Sequence, residues 1–110
     1  MFEVRTDTGR DGAVVVRAAG EVDMTVSPAF EQALLEAAAK GGDRGVVVDL
    51  EMLRFLDSSG VHALVKGYHA AQGVGGALTV RNPTGVVARV LYITGVGEVL
   101  GLPDGAEEEV

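Results

Sequence analysis

Val46-Val47-Val48-Asp49-Leu50, the connection through residues 51–56, and then Asp57-Ser58-Ser59-Gly60 decide how this chain folds. Val46 to Leu50 is a short continuous apolar run, the composition of a central parallel strand covered on both faces. Glu51 to Leu56 reads as a loop or one irregular turn. After it the period changes. Val61, Leu64, Val65 and Tyr68 recur at i, i+3, i+4 and i+7, which predicts an amphipathic helix from about Ser58 to Gln72. Gly73-Val74-Gly75-Gly76 ends it, and a further strand is expected over Ala77 to Arg81.

Working towards the N-terminus, Ser27-Pro28 predicts the start of another helix: a capping hydroxyl, then a ring whose missing N–H is harmless in the first turn. Phe30, Leu34, Leu35 and Ala38 form its apolar face, Lys40 suits its C-terminal dipole, and Gly41-Gly42 stop it. Gly20-Glu21-Val22-Asp23-Met24-Thr25-Val26 leads out of a strand that covers Ala13 to Ala19. Ahead of that strand, Phe2, Val4 and Thr6 alternate with Glu3, Arg5 and Asp7, as on a half-buried edge strand. The cluster Thr8-Gly9-Arg10-Asp11-Gly12 joins the two strands as an antiparallel hairpin. Towards the C-terminus, Asn82-Pro83 is a turn and Thr84 starts a short helix through Val86, Val90 and Leu91, ended by Thr94-Gly95. Val99-Leu100-Gly101-Leu102 reads as a last short strand, and Asp104 to Val110 as a frayed, solvated acidic end. The order β-β-α-β-α-β-α predicts an α/β domain spanning 1–110, with right-handed crossovers and a mixed sheet of four to five strands carrying three to four helices.

The whole chain agrees with this. Its 110 residues suit one domain, and 47% hydrophobic against 23% charged residues suit a soluble protein with a real core. That core must be filled by Val, Leu and Ala, since there is no Trp and only 5% of residues are aromatic. The absence of Cys excludes disulfides, thiol nucleophiles and thiolate metal sites, and fits a reducing cytoplasm. Met1-Phe2-Glu3-Val4-Arg5 lacks the basic-then-apolar pattern of a secretion signal, and no apolar run approaches the roughly 20 residues of a bilayer span. With a net charge of -7 and no basic patch, neither nucleic acid nor membrane is expected as a direct partner.

Asp57, Ser58 and Ser59 fall at the cap or in the first turn of the second helix. Either Asp57 or Ser58 can satisfy an orphan N–H there. One donor suffices, so three side-chain oxygens exceed what capping requires. Gly60 inside a helix costs roughly 1 kcal/mol relative to Ala. It serves either close contact of helix on sheet or the approach of another backbone beside Ser58. If Ser58 were phosphorylated it would gain about -1.5 to -2 charges, partly neutralised by the helix dipole and by free N–H groups. The fold would survive, and a partner resting on Ser58 would be expelled.

The chain resembles the STAS domain, in particular the small single-domain anti-sigma-factor antagonists of bacteria. The likeness rests on Gly20-Glu21-Val22-Asp23 before a helix with Pro28, Phe30 and Leu34, on Val46 to Leu50 with Phe55-Leu56-Asp57-Ser58-Ser59-Gly60 and Leu64, on Arg81-Asn82-Pro83, and on Val90-Leu91-Tyr92-Ile93-Thr94-Gly95-Val96. The resemblance implies that the unphosphorylated form binds an anti-sigma factor with serine kinase activity and so releases a sigma factor to RNA polymerase. The kinase then phosphorylates Ser58 with ATP, and a serine phosphatase reverses this. It implies that Asp57 orients the hydroxyl or contacts the kinase, that Asp23, Met24 and Thr25 complete the docking surface with Ser59 and Gly60, and that no cofactor or metal is involved. His62 stands where many relatives carry a small residue, which bears on partner fit. The C-terminal end is also shorter than in relatives that continue into a fourth helix. The other reading within the same family is a constitutive adaptor or scaffold subunit of a signalling or transport complex, in which Ser58 and Ser59 only cap.

Rival chemistries find less support. Asp57, Ser58 and His62 are close in sequence, but there is no G-x-S-x-G elbow and nothing puts Asp57 behind the imidazole, so a hydrolase is not expected. His62, Lys66 and His69 form an exposed stripe on the second helix that lacks acids and suits the border of an acidic partner surface, not a metal site. Asp49 is read as holding loop N–H groups, with ligand binding as the other option. Gly73, Gly75 and Gly76 follow a helix instead of preceding one, so they are not a phosphate loop.

Overall fold

The alternation in the first 22 residues builds an antiparallel hairpin of β1 (Phe2–Thr8) and β2 (Val14–Val22), with Phe2 opposite Gly20 and Thr8 opposite Val14. β3 (Val46–Leu56) and β4 (Leu78–Arg81) extend it in the order β1-β2-β3-β4, with β2, β3 and β4 parallel. The structure is a computed structural model that describes residues 1–102. The expected fraying of Asp104 to Val110 therefore lies outside the described residues.

Residues 51–56 are strand, not loop, and Gly20 to Val22 stay in the sheet beside them. Arg17 pairs with Asp49 but Ala19 with Met52, and Gly20 pairs with Leu53 but Glu21 with Phe55. β3 thus carries one extra residue at each of two places. Bulges reset the side-chain alternation. The fully buried residues of this stretch accordingly fall at Leu50, Leu53 and Leu56, a spacing of three that matches neither a regular strand nor a helix. Asp49 sits beside the first bulge and is the one buried acid among the described residues. Its Oδ1 accepts from Glu51 N at 3.1 Å and Asn82 Nδ2 at 3.3 Å, and its Oδ2 faces Arg81 Nε at 3.5 Å and Arg17 Nε at 3.9 Å. It ties β2, β3 and the end of β4 together, so the expected role of holding N–H groups is met within the strand itself.

α1 (Ser27–Gly41) follows β2 and α2 (Ser58–Gly73) follows β3. Both crossovers step in the same direction across the sheet, so the two helices lie side by side and pack on each other. Ser27 is not the cap of α1. Val26 occupies that position without a side-chain bond, and Ser27 is already helical. The turn is closed instead by Asp23, whose Oδ1 accepts from Thr25 N at 2.9 Å and Val26 N at 3.3 Å. Such an Asx turn lets a short acid mimic a backbone acceptor. Phe30, Leu34 and Ala38 of α1 meet Val61 and Leu64 of α2 over Val14, Val16, Val22, Val48 and Leu56 of the sheet.

Close approach is bought with glycine at two points of α2. A Cβ on Gly67 would lie 2.9 Å from Leu78 Cδ1 and 3.0 Å from Leu34 Cβ; one on Gly60 would lie 2.3 Å from Leu56 Cδ1 and 3.0 Å from Val22 Cγ1. α3 (Gly85–Ile93) and the single turn α4 (Val96–Val99) add Val87, Leu91 and Leu100 to the core. The expected strand at Val99 to Leu102 does not form. Leu100 turns its side chain fully inward, only its carbonyl meets β4 (Val80 N to Leu100 O, 2.9 Å), and Gly101, at φ 90°, turns the chain away. The stretch in which relatives continue into a fourth helix, from Gly105 onward, lies outside the described residues.

Candidate functional site

β2 and β3 end in register, Val22 beside Leu56, and each is followed at once by an aspartate that opens a helix. Asp57 N donates to Val22 O at 3.2 Å, so the turn at Asp23 and the turn at Asp57 stay adjacent as the chain leaves the sheet. The first turns of α1 and α2 consequently face each other across an open groove of about 550 Å³, lined by Ser27, Pro28, Glu31 and Gln32 from α1 and Ser58, Ser59 and His62 from α2.

Within Asp57-Ser58-Ser59-Gly60 the structure divides the work. Asp57 is the cap: its Oδ1 accepts from Ser59 N at 2.9 Å, from Gly60 N at 3.3 Å and from the Ser59 hydroxyl at 2.5 Å. Ser59 is therefore half-buried and committed to Asp57. Ser58 is the first helical residue; it is exposed, and its hydroxyl makes no hydrogen bond among the described residues. The question of which residue caps is thus answered in favour of Asp57. The Ser59 and Gly60 N–H groups are occupied by this carboxylate, so they are not among the free N–H groups expected to neutralise a phosphate.

The Ser59 hydroxyl first, and the Gly60 and Ser59 backbone N–H groups after it, hold the Asp57 carboxyl below the ordinary carboxylate range, against a smaller opposing effect of desolvation. Because the folded pKa lies below the unfolded one of about 3.9, the stabilisation is complete above the unfolded value and is lost as pH falls through the folded one. Asp57→Ala is expected to lower stability by about 0.5–2 kcal/mol at neutral pH. In urea titrations the gap between the two proteins should shrink as pH is taken from about 7 towards 2. A gap that stayed constant would show that the cap is not the charged carboxylate.

Gly60 is buried, and the space of its absent side chain is taken by Leu56 and Val22, so it serves helix-on-sheet contact and does not open the outer surface to another backbone. Asp23, Met24 and Thr25 are all exposed at the same end of the sheet, Met24 to 77%. His62, Lys66 and His69 are exposed along α2 as anticipated. Asp57, Ser58 and His62 share this end of the molecule but form no relay, since Asp57 Oδ1 is engaged by its own helix turn.

Sequence reasoning missed the α1 wall of the groove, Ser27 to Gln32, some thirty positions from Ser58. The usable signal was the repeated pattern of strand, aspartate, helix. It also missed Phe55, 41% exposed at the end of β3, because that segment was not read as strand.

The sequence profile of the STAS domain family matches residues 5–108. The chain belongs to the STAS family. Among relatives of this STAS domain, the anti-sigma F factor antagonist of Paenibacillus polymyxa is 28% identical over 93 residues, which cover 84% of this chain and 80% of that protein. Among solved structures, the anti-sigma factor antagonist SpoIIAA in its unphosphorylated form superposes with a TM-score of 0.77 at 26% identity, covering 97% of this chain and 91% of that one. The Bacillus cell fate determinant SpoIIAA in its phosphorylated form superposes with a TM-score of 0.69 at 25% identity, covering 97% of this chain and 95% of that one. Among the described residues, the mixed four-stranded sheet and four α-helices of this STAS domain thus follow the family fold.

Proposed function

We propose that this STAS domain is a non-enzymatic anti-sigma-factor antagonist switched by phosphorylation of Ser58. Its unphosphorylated form binds an anti-sigma factor that is also a serine kinase, frees the sigma factor, and acts in the cytoplasm where ATP and RNA polymerase are found. The kinase transfers phosphate to Ser58 and is expelled by it; a serine phosphatase restores binding. The observation that carries this reading is the idle, exposed Ser58 hydroxyl next to a cap that Asp57 completes without it. A serine kept for capping would be bonded to the helix, as Ser59 is to Asp57. The relatives' names, and a solved relative in phosphorylated form, point the same way. Asp23, Met24, Thr25 and His62 offer exposed side chains for the docking surface, whereas Ser59 and Gly60 contribute by shaping the turn under Ser58.

The test is incubation with the cognate kinase and ATP. Intact-mass analysis should show one added phosphate, absent from Ser58→Ala. Persistent absence of modification in the presence of a kinase active on a control substrate would instead favour the constitutive adaptor. The acid-free stripe on α2 gives a second expected result. Lys66→Glu should weaken partner binding about two- to fivefold, mainly through slower association that is most marked at low salt. Unchanged association kinetics would remove the stripe from the interface.

A further inference from the structure

We propose that His62 is the counter-charge of phosphorylated Ser58, and that it sets the pH at which the phosphate acquires its second negative charge. This deepens, and rests on, the reading of Ser58 as a phosphoacceptor. A phosphate on the Ser58 oxygen enters a groove whose lining offers polar side chains at Ser27 and Gln32 but no cation other than His62. The N–H groups of Ser59 and Gly60 already serve Asp57. Asp57, whose carboxyl the Ser59 hydroxyl and the helix N–H groups hold below the ordinary range in the unmodified protein, is a like charge next in sequence to the phosphate. Across the groove, α1 contributes Glu31, a second like charge. No Lys or Arg is among the groove-lining residues, and His62 alone of them can become a cation.

Its position fits that task. Ser58 and His62 are four residues apart on α2, where side chains are neighbours about 5–6 Å apart at Cβ, and both line the same groove. An imidazolium there offers ring N–H donors to phosphate oxygens that find no free backbone amide at Ser59 or Gly60. The charged groups that act on His62 are the phosphate and Asp57 on one side, Glu31 from α1, and Lys66 one turn further along α2; the sheet contributes none to the groove lining. The attraction to the phosphate and the two carboxylates outweighs the single repulsion from Lys66, which is exposed and free to swing away. The site is thus more than a helix start that accepts anions. It is a modification site with one potential cation, His62, one helical turn from the phosphate.

The experiment installs phosphoserine at position 58 by nonsense suppression, so that it needs no kinase, and follows the phosphate by 31P NMR as pH is varied. An ordinary phosphoserine loses its second proton near pH 6. In His62→Gln this step should move upward relative to the phosphorylated wild type by about 0.3–0.7 pH units, a two- to fivefold higher proton affinity for an exposed ion pair. His62→Lys, which keeps a cation at every pH, should return it to the wild-type value or below. Identical titration of wild type and His62→Gln would overturn the proposal, as would failure of His62→Lys to restore the shift or loss of folded amide spectra on phosphorylation. None of these outcomes depends on whether a kinase modifies Ser58, and lack of kinase modification leaves the NMR result standing.

Discussion

Phosphoserine at position 58 is expected to lower affinity for the cognate anti-sigma factor at least about 100-fold, nearly 3 kcal/mol. Ser58→Ala should stay within about threefold of the unmodified protein, because it removes one exposed hydroxyl that bonds to nothing in the fold. The asymmetry follows from geometry. The close, dry contact that the unmodified surface allows must, after modification, bury a dianion that already has Asp57 beside it and Glu31 across the groove. Leaving such a charge without a partner costs several kcal/mol. The domain itself should hardly notice, since the Ser58 hydroxyl bonds to nothing in the fold and Gly60 packs inward against Leu56 and Val22. Calorimetric titration of the partner with the two forms, beside thermal melts of each alone, separates a lost contact from a lost fold. Equal affinities would end the switch model. A collapse of the melting temperature on phosphorylation would mean that the fold, and not the interface, responds.

Phe30→Ala should be the most damaging single core change of the aromatic set, at about 3–5 kcal/mol. Phe30 is fully buried beneath α1 and meets Phe2 of the edge strand edge-on, with ring centroids 5.9 Å apart at 79°. It therefore joins three parts of the molecule at once: the first helix, the hairpin and the central sheet. Its neighbours, Val and Leu side chains held by strand pairing, cannot move in to fill the space of a ring. For a domain of this size such a loss lowers the melting temperature by at least about 12 °C. Phe55→Ala provides the contrast. Phe55 is 41% exposed, so its removal should cost less, about 1–2 kcal/mol. Urea midpoints of the two variants measure the difference. A Phe30 variant within 1 kcal/mol of the parent would contradict the core described here.

Both predictions concern residues whose surroundings were legible to different degrees. The face of α1 was readable because Phe30, Leu34 and Ala38 recur at helical spacing. The second half of β3 was not, because two bulges placed Leu50, Leu53 and Leu56 at intervals of three, and no single-period pattern describes such a strand. Ser27-Pro28 has the composition of a helix cap, yet Asp23 four residues earlier closes the turn; the local signal marked the helix start but assigned the hydrogen bonds to the wrong side chain. At the far end, Val99 to Leu102 has the apolar content of a strand, but the demand to bury Leu100 beside β4 was met by one helical turn and a single backbone bond.

The amino-acid sequence alone determined the order of strands and helices as far as α3, the central place of Val46 to Leu50, and the polar turn at which Ser58 begins a helix, because each of these follows from side-chain period and turn chemistry over a few neighbouring residues. Only the tertiary structure decided that Asp57 caps while Ser58 stands free, that Gly60 is held against Leu56 and Val22, and that Glu31 and His62 face one another across the groove. Those outcomes depend on how two strands end side by side and set their helices in parallel, a juxtaposition of segments some thirty residues apart that no local window contains.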